Sequence, residues 1–364
     1  TAGYQLYLLG IEDTAVCPPE TVGLAPEAVC PYNDLAKAYL TTSNADVKNF
    51  ECEITDSAKD IIIPLDCLSN NAVFTAECGL KADYSDAVSV HSDRPEIVLR
   101  NLYKGKTYHI RVTATANGIT KVTESTFKTT DIGPRVMQAE GIVNMRDLGG
   151  YVTSSGRTTV QGLALRGTQP DAKGKSLLTE DGQRVMSEEI GVKLDIDLRS
   201  ASEASNITGS FIDGAQYLRC SVGSYDAFNM NQKELWRQIF ASYADVSNYP
   251  IYVHCVYGAD RTGTVCYILN ALCGVSDEDL IRDYEYTTFS KSGLRAASSS
   301  EMSTFLQTFQ KLEGDTTAKK AETYLLSIGV TADEIANIKA IMLGDLKVPG
   351  MTYEDGTARP ASQN

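Results

Sequence analysis

The sequence is poor in histidine and tryptophan, has fewer basic than acidic side chains, and contains no long apolar run. Of its 364 residues, 33 are Lys or Arg and 47 are Asp or Glu, which gives a formal net charge of −14. Such a surface repels nucleic acid and anionic membranes. No apolar run approaches the roughly 18 residues that a membrane-spanning helix needs. Nucleic-acid binding and membrane insertion are therefore disfavoured.

Cysteine is also sparse, and its spacing does not fit the common zinc motifs. The nine cysteines include no Cys-x-x-Cys pair, and the three histidines are His91, His109 and His254. The sequence therefore predicts no metal site and no cofactor. Five cysteines lie within the first 80 residues, where one or two disulfide bonds would suit an oxidising compartment. They are Cys17, Cys30, Cys52, Cys67 and Cys78.

The length predicts two domains at roughly 150 residues each, and the first of them has a β pattern. Apolar and polar residues alternate from Tyr108 to Ala114, which predicts a half-buried strand. Asn117-Gly118 predicts a hairpin turn that leads into a second strand.

Leu102 precedes Tyr108 by six residues, and this spacing resembles one corner of a fibronectin type III domain. In that family the tyrosine hydroxyl bonds back to nearby backbone. We therefore expect an all-β, fibronectin- or immunoglobulin-like sandwich in residues 1–132, with its core at about 45–131.

After a linker at 129–134, strands and helices alternate. Residues 251–253 form a short apolar run, as expected of a buried parallel strand. Apolar residues from Val265 to Leu272 follow helical spacing, and Gly274 is placed to end that helix. These patterns predict an α/β domain. The predicted boundaries are 139–346 for this domain and 347–364 for a polar tail.

The segment 252–263, Tyr-Val-His-Cys-Val-Tyr-Gly-Ala-Asp-Arg-Thr-Gly, lies between that strand and that helix. A strand that runs through a short loop into a helix gathers backbone N–H groups around one point, which favours a tetrahedral oxyanion. Cys255 lies at the strand end, where the same field favours a thiolate. Gly258 permits a tight turn, Arg261 offers a bidentate guanidinium, and Thr262 offers a hydroxyl to the thiolate.

This segment resembles the His-Cys-x5-Arg-Thr signature of cysteine-dependent phosphatases at every defining position. Residues 144–151, Asn-Met-Arg-Asp-Leu-Gly-Gly-Tyr, resemble the opening motif of the bacterial tyrosine-phosphatase family that includes secreted, triple-specificity members. Residues 195–200 resemble its Asp-Leu-Arg-Ser strand. The resemblance covers about 139–343 and implies a central, mostly parallel sheet flanked by helices.

The resemblance also implies roles for individual residues. Cys255 would attack phosphorus in line and form a phosphocysteine intermediate, while Arg261 binds the phosphate and Thr262 stabilises the thiolate. The other positions of the phosphate-binding loop are His254, Val256, Tyr257, Gly258, Ala259 and Gly263. Four further matched positions are expected to hold the loop by buried hydrogen bonds more than to contact substrate: Arg146, Asp147, Arg166 and Arg199.

Two aspartates are candidates for the general acid that protonates the leaving group. Asp260 lies in the Asp-Arg-Thr-Gly context, where the resemblance places the acid. Asp226 follows a predicted strand at 217–222, where other phosphatases carry a mobile acid. The family commonly has lysine immediately before the loop aspartate, whereas this sequence has Ala259. The loss of that charge favours phosphotyrosine over phosphoinositides.

The sequence therefore predicts a protein-tyrosine phosphatase whose partner is a phosphotyrosine-containing protein or peptide. Two alternatives stay open: a catalytically silent phosphatase-fold module that binds phosphorylated ligands, and a phosphoinositide or dual-specificity phosphatase. The first domain is expected to contact a protein or glycan. No signal peptide is recognisable, but the chain begins without Met, and the first domain with its cysteines predicts a periplasmic or extracellular location.

Overall fold

The computed structural model of this chain forms two compact units. It describes residues 29–50, 58–65 and 71–361. One unit, called the β unit below, comprises Thr1–Tyr32 and Ala58–Ile132. The other, called the α/β unit, comprises Asn33–Ser57 and Gly133–Asn364.

The β unit contains two antiparallel sheets. Its strands are β1 (Ile61–Pro64), β2 (Val73–Gly79), β3 (Val88–Ser92), β4 (Glu96–Leu99), β5 (Thr107–Ala116) and β6 (Ile119–Lys128). Strands β1 and β4 form one pair, and the other four form a sheet in the order β3-β2-β5-β6. Buried side chains from both sheets, such as Ile63, Ile97, Phe74 and Val112, belong to one apolar cluster.

The predicted strand and turn in this unit are confirmed. Buried and less buried residues alternate along the whole of β5, because successive side chains of a strand point to opposite faces. Asn117 and Gly118 both have positive φ, at 51° and 77°, as a two-residue hairpin turn of type I′ requires. The amide of Tyr103 donates to the Tyr108 hydroxyl at 2.8 Å. The fibronectin- or immunoglobulin-like sandwich itself stays a prediction.

A five-stranded sheet organises the α/β unit. The strands of this unit are β7 (Arg146–Asp147), β8 (Ala164–Gly167), β9 (Asp171–Ala172), β10 (Lys175–Ser176), β11 (Leu194–Asp197), β12 (Gln216–Arg219), β13 (Ile251–His254), β14 (Met351–Glu354) and β15 (Thr357–Pro360). The sheet order is β12-β11-β13-β8-β7. All its pairs are parallel except β7 with β8. The short pairs β9–β10 and β14–β15 are antiparallel.

The α/β unit also contains helices, most of which contribute to its large apolar core. They are α1 (Asp34–Thr41), α2 (Glu180–Arg184), α3 (Lys233–Ser242), α4 (Asp260–Leu272), α5 (Asp277–Glu285), α6 (Ser300–Gln310), α7 (Thr317–Ser327) and α8 (Ala332–Met342). Along β13, Ile251 and Val253 join the large core that α3 to α8 share, whereas Tyr252 joins a smaller core that includes Val185 and Met186. The predicted buried parallel strand, the helix ended by Gly274 and the α/β class are confirmed.

The predicted boundary of the first domain is wrong. Residues Asn33–Ser57 group with the α/β unit, although the sequence pattern places them in the first domain. Helix α1 buries Tyr39 and Leu40 on one face. The Tyr39 hydroxyl donates to Glu285 at 2.5 Å, and its ring lies 5.3 Å from that of Phe289. These long-range contacts determine which unit the segment joins.

The predicted polar tail is also wrong for the residues that the structure describes. Strands β14 and β15 form a hairpin, and Val348 and Ala358 lie in the main core. The amide of Ala358 donates to the carbonyl of Gln161 at 2.7 Å. Two buried apolar side chains and a shared backbone ladder are enough to order a segment whose composition is mostly polar.

Three of the five cysteines behind the disulfide prediction lie outside the described residues: Cys17, Cys52 and Cys67. Cys78 is a buried, free thiol. In the ranges that the structure describes, no helix is long and apolar enough to cross a membrane.

Candidate active site

The predicted phosphate-binding loop lies at the carboxyl end of the sheet's central strand. Strand β13 ends at His254, helix α4 begins at Asp260, and residues 255–259 form the loop between them. The side chain of Cys255 is buried, at 2% exposure, whereas Tyr257 is 54% exposed on the rim. Carboxyl ends of parallel strands are where α/β sheets bind ligands, so the fold and the motif indicate the same place.

The loop backbone is held from below by the neighbouring strand. Gly258 has a φ of +61°, and a Cβ there would lie 2.1 Å from the carbonyl oxygen of Gly167 in β8. Arg166 Nη2 donates to the Gly258 carbonyl at 2.8 Å, and Asn144 Nδ2 donates to the Tyr257 carbonyl at 3.1 Å. Only glycine fits this close approach. The loop carbonyls are thus bound by side chains beneath the loop.

Amides and side chains of the loop and of α4 act on the Cys255 thiol. Burial alone would raise its pKa, but the Thr262 hydroxyl, the Arg261 charge and the amides of Thr262 and Ala259 together lower the pKa of Cys255 below its ordinary value of 9.0. The Thr262 hydroxyl is buried and has no other hydrogen-bond partner among the described residues. The local field therefore favours the thiolate.

The other buried cysteines of the unit show the opposite behaviour. Burial raises the pKa of Cys220, Cys266 and Cys273 to about 12 in each case. Cys266 even lies on the same helix that supplies Thr262 to Cys255. The lowered pKa is therefore a property of the loop and not of the apolar core around it.

Arg261 is fixed by a carboxylate that the motif analysis assigns no role. Its Nη1 and Nη2 donate to Glu203 at 2.6 and 2.9 Å, and Nη1 also donates to the Leu198 carbonyl at 3.3 Å. The hydrogen bond from Arg261 is the main cause that lowers the pKa of Glu203 to about 2. Arg261 Nε is buried and has no partner within the described ranges. The guanidinium is thus oriented with its Nε donor left for a ligand.

Beneath the loop, Asp283 binds two of the four predicted supporting residues, Arg146 and Arg166. Arg146 Nε lies 2.8 Å and Arg166 Nη1 lies 2.6 Å from its two carboxylate oxygens, and both arginine side chains are fully buried. Their charges lower the pKa of Asp283 against the effect of burial, which would raise it. Since Arg166 also binds the Gly258 carbonyl, this cluster connects α5 to the loop.

The other two supporting residues lie elsewhere. Asp147 accepts from Arg135 at 2.7 Å and from the backbone amides of Gly149 and Gly162, none of which belongs to the phosphate-binding loop. Arg199 pairs with Asp197 and donates to the side chain of Gln169 at 3.0 Å.

Gln169 connects this second cluster to the loop, because its backbone N–H donates to the Val256 carbonyl at 3.3 Å. His254 is fully buried, and its Nε2 lies 3.1 Å from Asp195. A Cβ added at Gly263 would lie 3.0 Å from the Tyr284 ring. Gln169 thus holds the loop directly, while His254 and Gly263 are fixed in the strand before it and the helix after it.

The two candidate acids lie in different surroundings. Asp260, in the first turn of α4, accepts from the Tyr225 hydroxyl at 2.5 Å and from Arg295 Nε at 2.7 Å. Arg295 Nη2 reaches its second oxygen at 3.2 Å, and the Tyr284 hydroxyl lies 2.6 Å from that of Tyr225. Asp226 accepts from Asn229 at 2.8 Å.

Sequence reasoning assigned no role to three residues of this site: Glu203, Tyr225 and Arg295. Glu203 lies beside the matched Asp-Leu-Arg-Ser strand. Its acidic side chain indicates a basic partner, but no local pattern identifies that partner as Arg261. Tyr225 adjoins Asp226 and was overlooked beside it. Arg295 has no local signal, because it follows α5 in an irregular segment and meets Asp260 only through the fold.

Comparisons with known proteins match the chain to a family model and to a solved structure. The family model described as the tyrosine phosphatase family matches residues 137–344, more than half of the chain. No curated protein matches. A crystal structure of the core catalytic domain of the PP-IP phosphatase SIW14 from S. cerevisiae, in complex with citrate, matches at 16% identity with a TM-score of 0.30. That match covers 56% of this chain and 94% of the other.

Proposed function

The chain belongs to the tyrosine phosphatase family, and we propose that it hydrolyses phosphotyrosine in proteins or peptides through a phosphocysteine intermediate on Cys255. One observation carries the proposal. Cys255 alone among the described buried cysteines of the α/β unit has a lowered pKa, and two donors beside it, Arg261 Nε and the Thr262 hydroxyl, have no other partner among the described residues. A phosphoryl group bound at the thiolate would satisfy both.

The first step uses the thiolate as the nucleophile. An electron pair of Cys255 sulfur forms the S–P bond as the P–O bond to the tyrosyl oxygen breaks. Arg261, oriented by Glu203, stabilises the charge on the equatorial oxygens, together with the loop amides and the N-terminus of α4. Water then cleaves the S–P bond and releases phosphate, and Thr262 stabilises the departing thiolate.

The proton for the tyrosyl oxygen comes from Asp260 in this proposal. Arg295 and Tyr225 keep this carboxylate at the first turn of α4, next to the loop. Once ionised, Asp260 would take a proton from the water that cleaves the S–P bond. It then carries that proton for the next leaving group. Asp226, the alternative acid, is bound to Asn229 and lies one residue from the tyrosine that contacts Asp260.

Phosphotyrosine is the preferred substrate in this proposal, because Ala259 stands where the resembled family commonly has lysine. Ala259 is fully buried and adds no charge for a second phosphate. The β unit, proposed as a fibronectin type III-like module, would contact a protein or glycan. A periplasmic or extracellular location, and a bacterial source, would fit that role.

Turnover of p-nitrophenyl phosphate by freshly reduced protein tests the proposal. We expect Cys255→Ser to abolish turnover while inorganic phosphate still binds, because a serine hydroxyl is not ionised near neutral pH. Cys266→Ser is the matched control: it lies on α4 and should retain turnover. Substantial activity in Cys255→Ser would remove the mechanism.

Two other outcomes decide between the alternatives. Phosphate binding without any hydrolysis by the reduced wild-type protein would identify a silent binding module. Faster hydrolysis of phosphoinositides than of phosphotyrosine peptides, in one panel at equal concentrations, would show that the inference from Ala259 is wrong.

A further inference from the structure

A cavity of about 530 Å³ lies beside Tyr225, the tyrosine that contacts the loop aspartate. Its walls come from the segment after β12 and from the first three turns of α6. The residues that matter below are Tyr225, Asp226, Phe228, Glu301 and Phe305. Cavities of this size hold small molecules or individual side chains of a bound peptide.

One side chain places the cavity next to the candidate active site. The hydroxyl of Tyr225 donates to Asp260 at 2.5 Å, so one side chain belongs to both places.

The cavity has an apolar wall. The rings of Phe228 and Phe305 stack at 5.7 Å between centroids, and Tyr324 packs edge-on against Phe228 from behind. Phe305 is almost fully buried, so the half-buried Phe228 presents most of this wall. Such a wall accepts the methylene stem of a long side chain, which gains by leaving water.

Two carboxylates of this cavity differ from those of the active site. Glu203, Asp260 and Asp283 each pair with an arginine. By contrast, Asp226 accepts from Asn229 at 2.8 Å and Glu301 from Ser300 at 2.8 Å. Within the described ranges neither of them forms an ion pair. The cavity therefore combines an apolar wall with two carboxylates that no cation neutralises.

We propose that this cavity binds an arginine or lysine side chain next to the phosphotyrosine of a peptide substrate. This inference rests on the proposed function and narrows it to phosphotyrosine in a basic sequence. The stem of the side chain lies along Phe228 and Phe305, and its cationic head meets Asp226 and Glu301. An acidic residue at the same position is repelled by both carboxylates.

A peptide scan tests the proposal with the full chain. Phosphotyrosine peptides carry Arg, Ala or Glu, one at a time, at each of the three positions on either side. At one of these positions we expect kcat/KM to be roughly tenfold higher for the Arg peptide than for the Glu peptide, mainly through a lower KM. Turnover of p-nitrophenyl phosphate, which is too small to reach the cavity, measures the chemical step alone.

Charge variants at the cavity locate the preference. Glu301→Gln should reduce the Arg-to-Glu ratio several-fold, and Glu301→Lys should reverse it. Glu313→Gln removes the same charge from an exposed position outside the cavity and should leave the ratio at the wild-type value. Because the ratio compares two substrates of one variant, a general loss of folded protein does not move it.

The outcomes separate this proposal from the function on which it rests. Hydrolysis of p-nitrophenyl phosphate and of all peptides with an Arg-to-Glu ratio near one would overturn the subsite alone. A bias that survives in Glu301→Lys would also overturn it. No hydrolysis of any phosphate ester by reduced protein would overturn both proposals.

Discussion

Two sets of paired charges, one in each unit of the chain, lie at different depths. In the β unit, Arg111 and Glu77 meet at 2.7 Å with side chains that remain 35% and 33% exposed. In the α/β unit, Arg146 and Arg166 meet Asp283 at similar distances, yet the three side chains are 0%, 0% and 7% exposed. The Arg111–Glu77 ion pair is thus partly exposed to solvent, whereas the ion pairs of Asp283 are buried in the core.

The difference shows what each set of charges does. An exposed pair contributes little to stability, because water screens it and two flexible side chains must be ordered. A buried pair must offset a large loss of hydration, so it persists only where every member is bound. In the α/β unit the buried arginines also bind the loop: Arg166 reaches the Gly258 carbonyl. These charges are therefore placed to shape the site.

The largest effect is expected from Asp283→Asn. The substitution keeps the shape of the side chain but leaves the two buried charges of Arg146 and Arg166 without a counter-ion. We expect the free energy of unfolding of the α/β unit to fall by about 3–5 kcal/mol, measured by urea denaturation at pH 7.

Glu77→Gln is the control for Asp283→Asn, because it removes an exposed carboxylate from a similar contact. It should leave the stability of the β unit nearly unchanged. The native pKa of Asp283 is lowered, so its contribution is present above the unfolded pKa of Asp and is lost as pH falls through the native value. Similar losses in both variants would contradict the comparison.

Arg261→Lys should damage the chemistry more than the fold. A lysine cannot keep both contacts to Glu203 and still offer a donor to phosphate, since it is a point charge on a flexible stem. We expect kcat/KM to fall by about 10²–10³-fold. Arg157→Lys removes a second bidentate pair, with Asp345, and should keep wild-type activity. Equal losses in the two variants would argue against a special role for Arg261.

Asp260→Asn should slow hydrolysis by an amount that depends on the leaving group of the substrate. A nitrophenolate departs with little help, whereas tyrosinate, with a pKa near 10, needs a proton. We expect about a 10²-fold loss on a phosphotyrosine peptide and a much smaller loss on p-nitrophenyl phosphate. Asp226→Asn should show no such dependence on the leaving group.

The asparagine at position 260 could also act on the nucleophile, and pH-dependent alkylation of Cys255 measures that effect. The lowered pKa of the thiol means that alkylation rises at a lower pH than for an ordinary cysteine. A leaving-group dependence in Asp226→Asn, and none in Asp260→Asn, would move the acid to the segment after β12.

Local patterns predicted the strand β13, the loop and the helix α4, because a buried parallel strand and a glycine-ended helix leave strong signals in adjacent residues. The partners of the loop were not predictable in this way. Glu203 lies 58 residues from Arg261, and Arg295 lies 35 residues from Asp260. Each of these charged side chains could equally well be solvated at the surface. Only the fold determines which carboxylate meets which guanidinium. The domain assignment of Asn33–Ser57 was wrong for the same reason, because long-range contacts place this segment in the α/β unit.

The smallest effect is expected in the β unit, from Tyr108→Phe. The ring keeps its stack with Phe127 at 5.5 Å, and only the hydroxyl that accepts from the Tyr103 amide is lost. One such hydrogen bond contributes about 1 kcal/mol, so the free energy of unfolding of the β unit should fall by at least about that amount. Turnover of p-nitrophenyl phosphate should stay at the wild-type rate, since every described residue of the candidate site lies in the α/β unit. A fall in turnover at unchanged stability would show that the two units are coupled in function.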